Sequence, residues 1–165
     1  MKAVFITKLG APEVLELREA PTPEPGRGQV RLRVRAAGVN FADCLMRMGL
    51  YPGAPATPFV PGYEVAGTLA DGRRVVAFTR FGGYAEKAVA PTRAVLPIPD
   101  SMTFEEGAAI PVCYSTAWAA LVHLARVKSG DAVLIEHAAG GVGIAAIQFA
   151  KRAGAVVYGV TSSPL

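Results

Sequence analysis

The stretch Val133-Leu134-Ile135-Glu136-His137-Ala138-Ala139-Gly140-Gly141-Val142-Gly143 decides the fold. Its apolar start reads as a buried strand over 132–136, and its small residues sit where that strand gives way to a helix over 141–153. Gly154 stops the helix, and a second strand follows over 155–161. A strand–helix–strand crossover of this kind calls for a parallel sheet. A diphosphate can reach backbone amides only where no side chain intervenes, and a helix start offers it unpaired N–H groups and a favourable dipole. Gly140, Gly141, Val142 and Gly143 are therefore the candidate cofactor-binding residues, with close helix–strand packing and no ligand as the alternative.

The end of the second strand bears on which nucleotide fits. NAD-selective sites place Asp or Glu about 20 residues beyond the glycines to grip the ribose 2′-hydroxyl. This chain has Thr161-Ser162-Ser163 there. Without a carboxylate to repel a 2′-phosphate, and with hydroxyls able to bond one, NADPH is expected over NADH, and Ser162 and Ser163 join the cofactor-binding set.

Working outward, residues 1–99 read as short β-rich segments at 2–8, 14–19, 29–39, 63–69, 73–78 and 85–89, separated by Gly and Pro. That spacing predicts a small barrel-like unit, with a helical turn over 42–49. Residues 100–165 read differently. Ser101 to Glu105 fits a helix start, a short helix runs to 110, and a longer one covers 114–125. The expected class is α/β with a β-rich N-terminal part.

Bulk properties exclude several function classes. Hydrophobic residues make up 52% and charged residues 18%, a balance that argues against disorder. No uncharged apolar run reaches the roughly 18 residues that span a bilayer, so no membrane partner is expected. The formal charge of +4 comes from dispersed Lys and Arg. Arg31, Arg33 and Arg35 fall on one solvated strand face, which gives no nucleic-acid stripe. Two cysteines, Cys44 and Cys113, lack metal-type spacing and are expected to be free and buried. The start Met1-Lys2-Ala3-Val4-Phe5 reads as a strand and not as a signal peptide, so a cytoplasmic location is expected.

Three further stretches complete a pattern: Ala36-Ala37-Gly38-Val39-Asn40-Phe41-Ala42-Asp43 running on to Gly49-Leu50-Tyr51-Pro52, then Pro58-Phe59-Val60-Pro61-Gly62-Tyr63-Glu64-Val65-Ala66-Gly67, and Gly82-Gly83-Tyr84-Ala85-Glu86. With the glycine turn, they resemble the medium-chain dehydrogenase/reductase superfamily in its zinc-free quinone oxidoreductase and enoyl reductase branch. The resemblance implies a GroES-like domain over 1–99 and, over 100–165, linking helices and the first, incomplete βαβ unit of a Rossmann domain, with substrate held between the two. Zinc-dependent relatives carry Cys where this chain has Asn40 and His where it has Tyr63. Asn and Tyr are poor Zn²⁺ ligands, so no metal is expected.

The resemblance further implies hydride transfer from NADPH to a quinone or an α,β-unsaturated carbonyl. Asn40 is the candidate polar group near nicotinamide and substrate, against a role as a turn residue. Tyr51 is the candidate proton donor or carbonyl anchor, against a role as a loop aromatic. Thr116 matches a threonine that approaches the nicotinamide portion. Asp43 is read as a helix-start carboxylate, Glu64 as a partner for buried backbone or basic groups, and His123 as a packed or surface residue. Glu136-His137 departs from the usual His followed by a small residue. The family commonly forms homodimers.

A Rossmann domain needs more strands than the two read here. Three possibilities stand: a piece of a protein about twice as long, a chain completed by another chain, or a reduced module without catalysis. A non-catalytic binding protein of the same fold is the alternative function.

Overall fold

The computed structural model describes residues 1–162 and divides the chain into two compact units, Met1–Pro111 and the part from Val112 on. In the first unit, β1 (Lys2–Ile6) and β2 (Leu15–Glu19) form an antiparallel pair. A five-stranded antiparallel sheet is built from β3 (Gln29–Ala37), β4 (Glu64–Thr68), β5 (Arg74–Phe78), β6 (Lys87–Pro91) and β7 (Val95–Pro97), in the order β6-β3-β4-β5-β7. Two short helices, α1 (Phe41–Arg47) and α2 (Phe104–Ala108), belong to the same unit. The sequence pattern anticipates six of these strands. It misses β7, whose three residues are too few to show a period.

Strand β4 is covered on both faces. Val65 packs with Leu32, Val75, Ala77, Ala88 and Ala90 on one side, while Ala66 packs with Val76, Ile98 and Ala108 of α2 on the other. Gly67 lies where β3 bulges between Val34 and Ala36, and a Cβ there would collide with the Arg33 carbonyl oxygen. Arg33 and Arg35 are exposed, whereas Arg31 is half-buried and pairs with Glu24 at 2.9 Å. A third cluster, Ile6, Val14, Met46 and Phe59, seats α1.

The second unit contains α3 (Pro111–Trp118, whose first residue falls in the first unit), β8 (Ala132–Glu136), α4 (Gly141–Arg152) and β9 (Val156–Val160). Strands β8 and β9 pair in parallel, as the crossover pattern requires. Two readings need correction. The helix expected over 114–125 begins at Pro111, where proline's missing N–H costs nothing, and widens into a π-helical segment over Ala119–Leu124. Strand β8 is not buried throughout: Val133 and Ile135 pack with Ala117, Ala138, Ala145 and Ala146, but Leu134, Val156, Tyr158 and Val160 are exposed. Apolar composition alone does not say how many faces are covered. No helix among the described residues is long and apolar enough to cross a membrane.

Because Gly67 allows β3 and β4 to meet at the bulge, Gly67→Ala is expected to cost about 1–3 kcal/mol in urea unfolding. A loss below about 0.5 kcal/mol would show that the strands yield there.

Candidate active site

The glycine turn joins β8 to α4. Ala138 N–H donates to the Val160 carbonyl at 3.0 Å, and Gly140 N–H donates to the His137 carbonyl at 2.8 Å, so the turn is tied to β9 and to itself. Gly140 caps α4 in an extended conformation with no side-chain hydrogen bond, and no acidic residue occupies the first helical turn. The first N–H groups of a helix have no intrahelical acceptor. Gly140, Gly141 and Val142 are exposed, so these groups open to the surface without a side chain from the cap. This bare helix start fits a diphosphate.

The glycines do not share one task. A Cβ on Gly143 would collide with the His137 carbonyl and lie 2.8 Å from both Cα and O of Ala138, so Gly143 lets the helix close onto the loop. A Cβ on Gly141 would lie 2.7 Å from Cys113 Sγ on α3. Gly140 has only the His137 oxygen nearby, at 3.2 Å. His137 is exposed with a φ of 52°. Left-handed backbone is uncommon outside glycine, and histidine is among the residues that tolerate it.

Thr116 is exposed on α3, and Ser162 is exposed just after β9. Ser163 lies outside the described residues. Cys44 and Cys113 form no disulfide, as read, but are half-buried and not buried. His123 is exposed and stacks on Trp118, with centroids 5.8 Å apart and planes 12° from parallel.

In the first unit, Asn40 is the N-cap of α1. Its backbone N–H donates to Asp43 Oδ2 at 2.8 Å, and its Nδ2 donates to Glu64 Oε1 at 2.7 Å. Asp43 Oδ2 also accepts from the Tyr84 hydroxyl at 2.9 Å, while Oδ1 is buried with no partner among the described residues. Asp43 thus occupies the helix-start position read for it. The Asn40 carboxamide is one partner of Glu64. Burial, followed by the Asp43 charge, raises the Tyr84 phenol above its usual range.

Tyr51 lies half-buried in the loop after α1, edge-on to Tyr63 with centroids 6.1 Å apart. Phe81 completes the group at 5.8 Å from Tyr63, and the Arg80 guanidinium lies 5.7 Å from the Phe81 ring. Burial and then hydrogen bonding to Tyr51 push the Tyr63 phenol up to about 12. The structure therefore gathers Asn40 with Asp43, Glu64 and Tyr84, and Tyr51 with Tyr63, within one unit. Tyr84 lies in a stretch that carries the resemblance but had no role read for it, because its partner Asp43 is distant in the chain.

Comparison with known proteins decides the kinship. Residues 26–100 match the alcohol dehydrogenase GroES-like domain. The quinone oxidoreductase of Lama guanicoe is 43% identical over 92% of this chain and 49% of its own length. The quinone oxidoreductase of Thermus thermophilus, whose structure is also known with NADPH, superposes with a TM-score of 0.92 at 44% identity, over 99% of this chain and 54% of that one. These matches support kinship with the quinone oxidoreductase branch of the medium-chain dehydrogenase/reductase superfamily. The human synaptic vesicle membrane protein VAT-1 homolog-like protein is similar too, with a TM-score of 0.95 at 36% identity over 99% of this chain and 56% of that one. The chain spans about half the length of the curated relatives it matches. The β-rich unit matches the GroES-like domain that the resemblance implied.

Two outcomes test this geometry. Gly143→Ala is expected to cost about 1–3 kcal/mol in urea unfolding and Gly140→Ala less than about 1 kcal/mol, since only the former drives a Cβ into backbone. Equal losses would contradict the division of tasks. The folded state holds the Tyr63 proton more tightly than the unfolded chain, so this contribution to stability is intact below about pH 10 and vanishes as pH rises toward 12. Tyr63→Phe should flatten that part of the stability–pH curve, read as urea midpoints in matched buffers.

Proposed function

We propose that this chain supplies the substrate domain and nucleotide turn of an NADPH-dependent, zinc-independent oxidoreductase acting on a quinone or an α,β-unsaturated carbonyl. The observation that carries the reading is the bare, exposed helix start at Gly140–Val142, closed from behind by Gly143. When bound, NADPH supplies a hydride from its nicotinamide. Backbone N–H groups of Gly141, Val142 and Gly143 would hold the diphosphate, Ser162 and Ser163 the 2′-phosphate, and Thr116 the nicotinamide portion.

Asn40 would hydrogen-bond the carboxamide or the acceptor, and Tyr51 would anchor the acceptor oxygen or return a proton to the reduced product. Asn40 and Tyr63 at the positions of zinc ligands in related alcohol dehydrogenases support metal-free chemistry. Kinship with quinone oxidoreductases, one of them solved with NADPH, supports acceptor class and cofactor. It also supports a small-molecule substrate, a cytoplasmic location and a homodimeric whole protein. Coverage of about half the relatives' length favours a second reading, a GroES-like/Rossmann binding module that needs a further segment or partner chain for turnover.

Titration of the chain with NADPH is expected to quench Trp118, which is 48% exposed on α3, and to raise nicotinamide emission. NADPH should bind more tightly than NADH, and Ser162→Asp should reduce that preference about tenfold by charge repulsion. No response to either nucleotide would refute the reading. Binding without p-benzoquinone reduction would favour the module.

A further inference from the structure

Asn40 is held from both sides by buried acids. Asp43, 6% exposed, accepts from its backbone N–H, and Glu64, 1% exposed, accepts from its side-chain amide. Capping the seven residues of α1 requires only the first of these contacts. An N-cap asparagine ordinarily turns its side-chain oxygen to a backbone N–H of its own helix. Here the side-chain nitrogen, in addition, bonds a carboxylate on β4, 24 positions away.

Chain geometry is shaped around that bond. A Cβ at Gly38 would overlap Glu64 Oε1 and approach the Ala108 carbonyl to 2.6 Å, so the end of β3 is kept bare where the carboxylate sits. Gly38 N–H also donates to the Glu64 carbonyl at 3.2 Å. Burying a carboxylate costs several kcal/mol unless hydrogen bonds replace its water, and two of them converge on one residue. With Glu64 Oε1 as the acceptor, the amide orientation is fixed as well, because the flipped rotamer would set oxygen against oxygen.

We propose that Glu64 and Asp43 are positioning residues, Asp43 fixing the backbone of Asn40 and Glu64 the plane and polarity of its carboxamide, for recognition of a ligand amide or carbonyl. The proposal rests on the reading of Asn40 as a ligand-facing group. Tyr84 supports it, because its hydroxyl shares Asp43 Oδ2 and holds that carboxylate in place.

Asn40 is the only asparagine in the chain, so isotope labelling at asparagine nitrogen gives one backbone and one side-chain amide signal by NMR. In the unaltered chain, the side-chain protons should exchange at least about tenfold more slowly than in free asparagine, given a hydrogen bond to a buried acceptor. Glu64→Leu should abolish this protection, and Glu64→Gln, which still accepts, should keep part of it. Asp43→Ala should release the backbone N–H. Adding NADPH and p-benzoquinone, with binding followed by Trp118 emission, should shift the side-chain signals in the unaltered chain and less so in Glu64→Leu. Unprotected side-chain protons in the unaltered chain overturn the proposal whether or not a variant folds. Protection lost in Glu64→Leu, with signals that ligand never moves although Trp118 reports binding, overturns the positioning role by removing the ligand-facing reading, while the acid contacts stand.

Discussion

Burial of β4 on both faces is the constraint from which the first unit follows. With Val65 turned to one core and Ala66 to the other, the strand cannot shift by one residue without exchanging its two environments. Register is therefore fixed, and with it the position of Glu64 at the strand's start. The neighbouring bulge, accommodated by Gly67, brings the end of β3 toward that carboxylate. A hydrophobic requirement thus places a polar group.

The second unit uses smallness where the first uses burial. Ala117, Ala138, Ala145 and Ala146 fill the space between helices and sheet, and such side chains allow backbones to approach closely. Close approach makes Gly143 indispensable and fixes the height of the helix start above the strands. Side-chain contacts add orientation: Tyr114 donates to Gln148 at 3.0 Å and meets Phe149 edge-on. These ties between α3 and α4 place Cys113 beside Gly141.

The crossover was legible because its signals are local. An apolar run, a glycine stop at 154 and a cluster of small residues need no distant partner to be read, and β8, α4 and β9 fall within a residue or two of their expected bounds. Asp43 was legible for the same reason, sitting three residues into a helix it caps. The bond from Glu64 to Asn40, the meeting of Tyr84 with Asp43 and the pairing of Tyr51 with Tyr63 were not, since tertiary packing alone brings these residues together. The exposure of Leu134 and Tyr158 was hidden for a related reason: a strand's composition is set by what it could bury, and coverage depends on its neighbours.

The left-handed backbone at His137 restricts how this turn can diverge among descendants of the chain. Glycine adopts that conformation freely, and asparagine, aspartate and histidine tolerate it, whereas valine, isoleucine and threonine meet steric conflict. A branched residue there would strain the backbone whatever its effect on chemistry. The tolerated alphabet at position 137 is thus written by torsion angles, and an imidazole persists there as one of its few admissible letters.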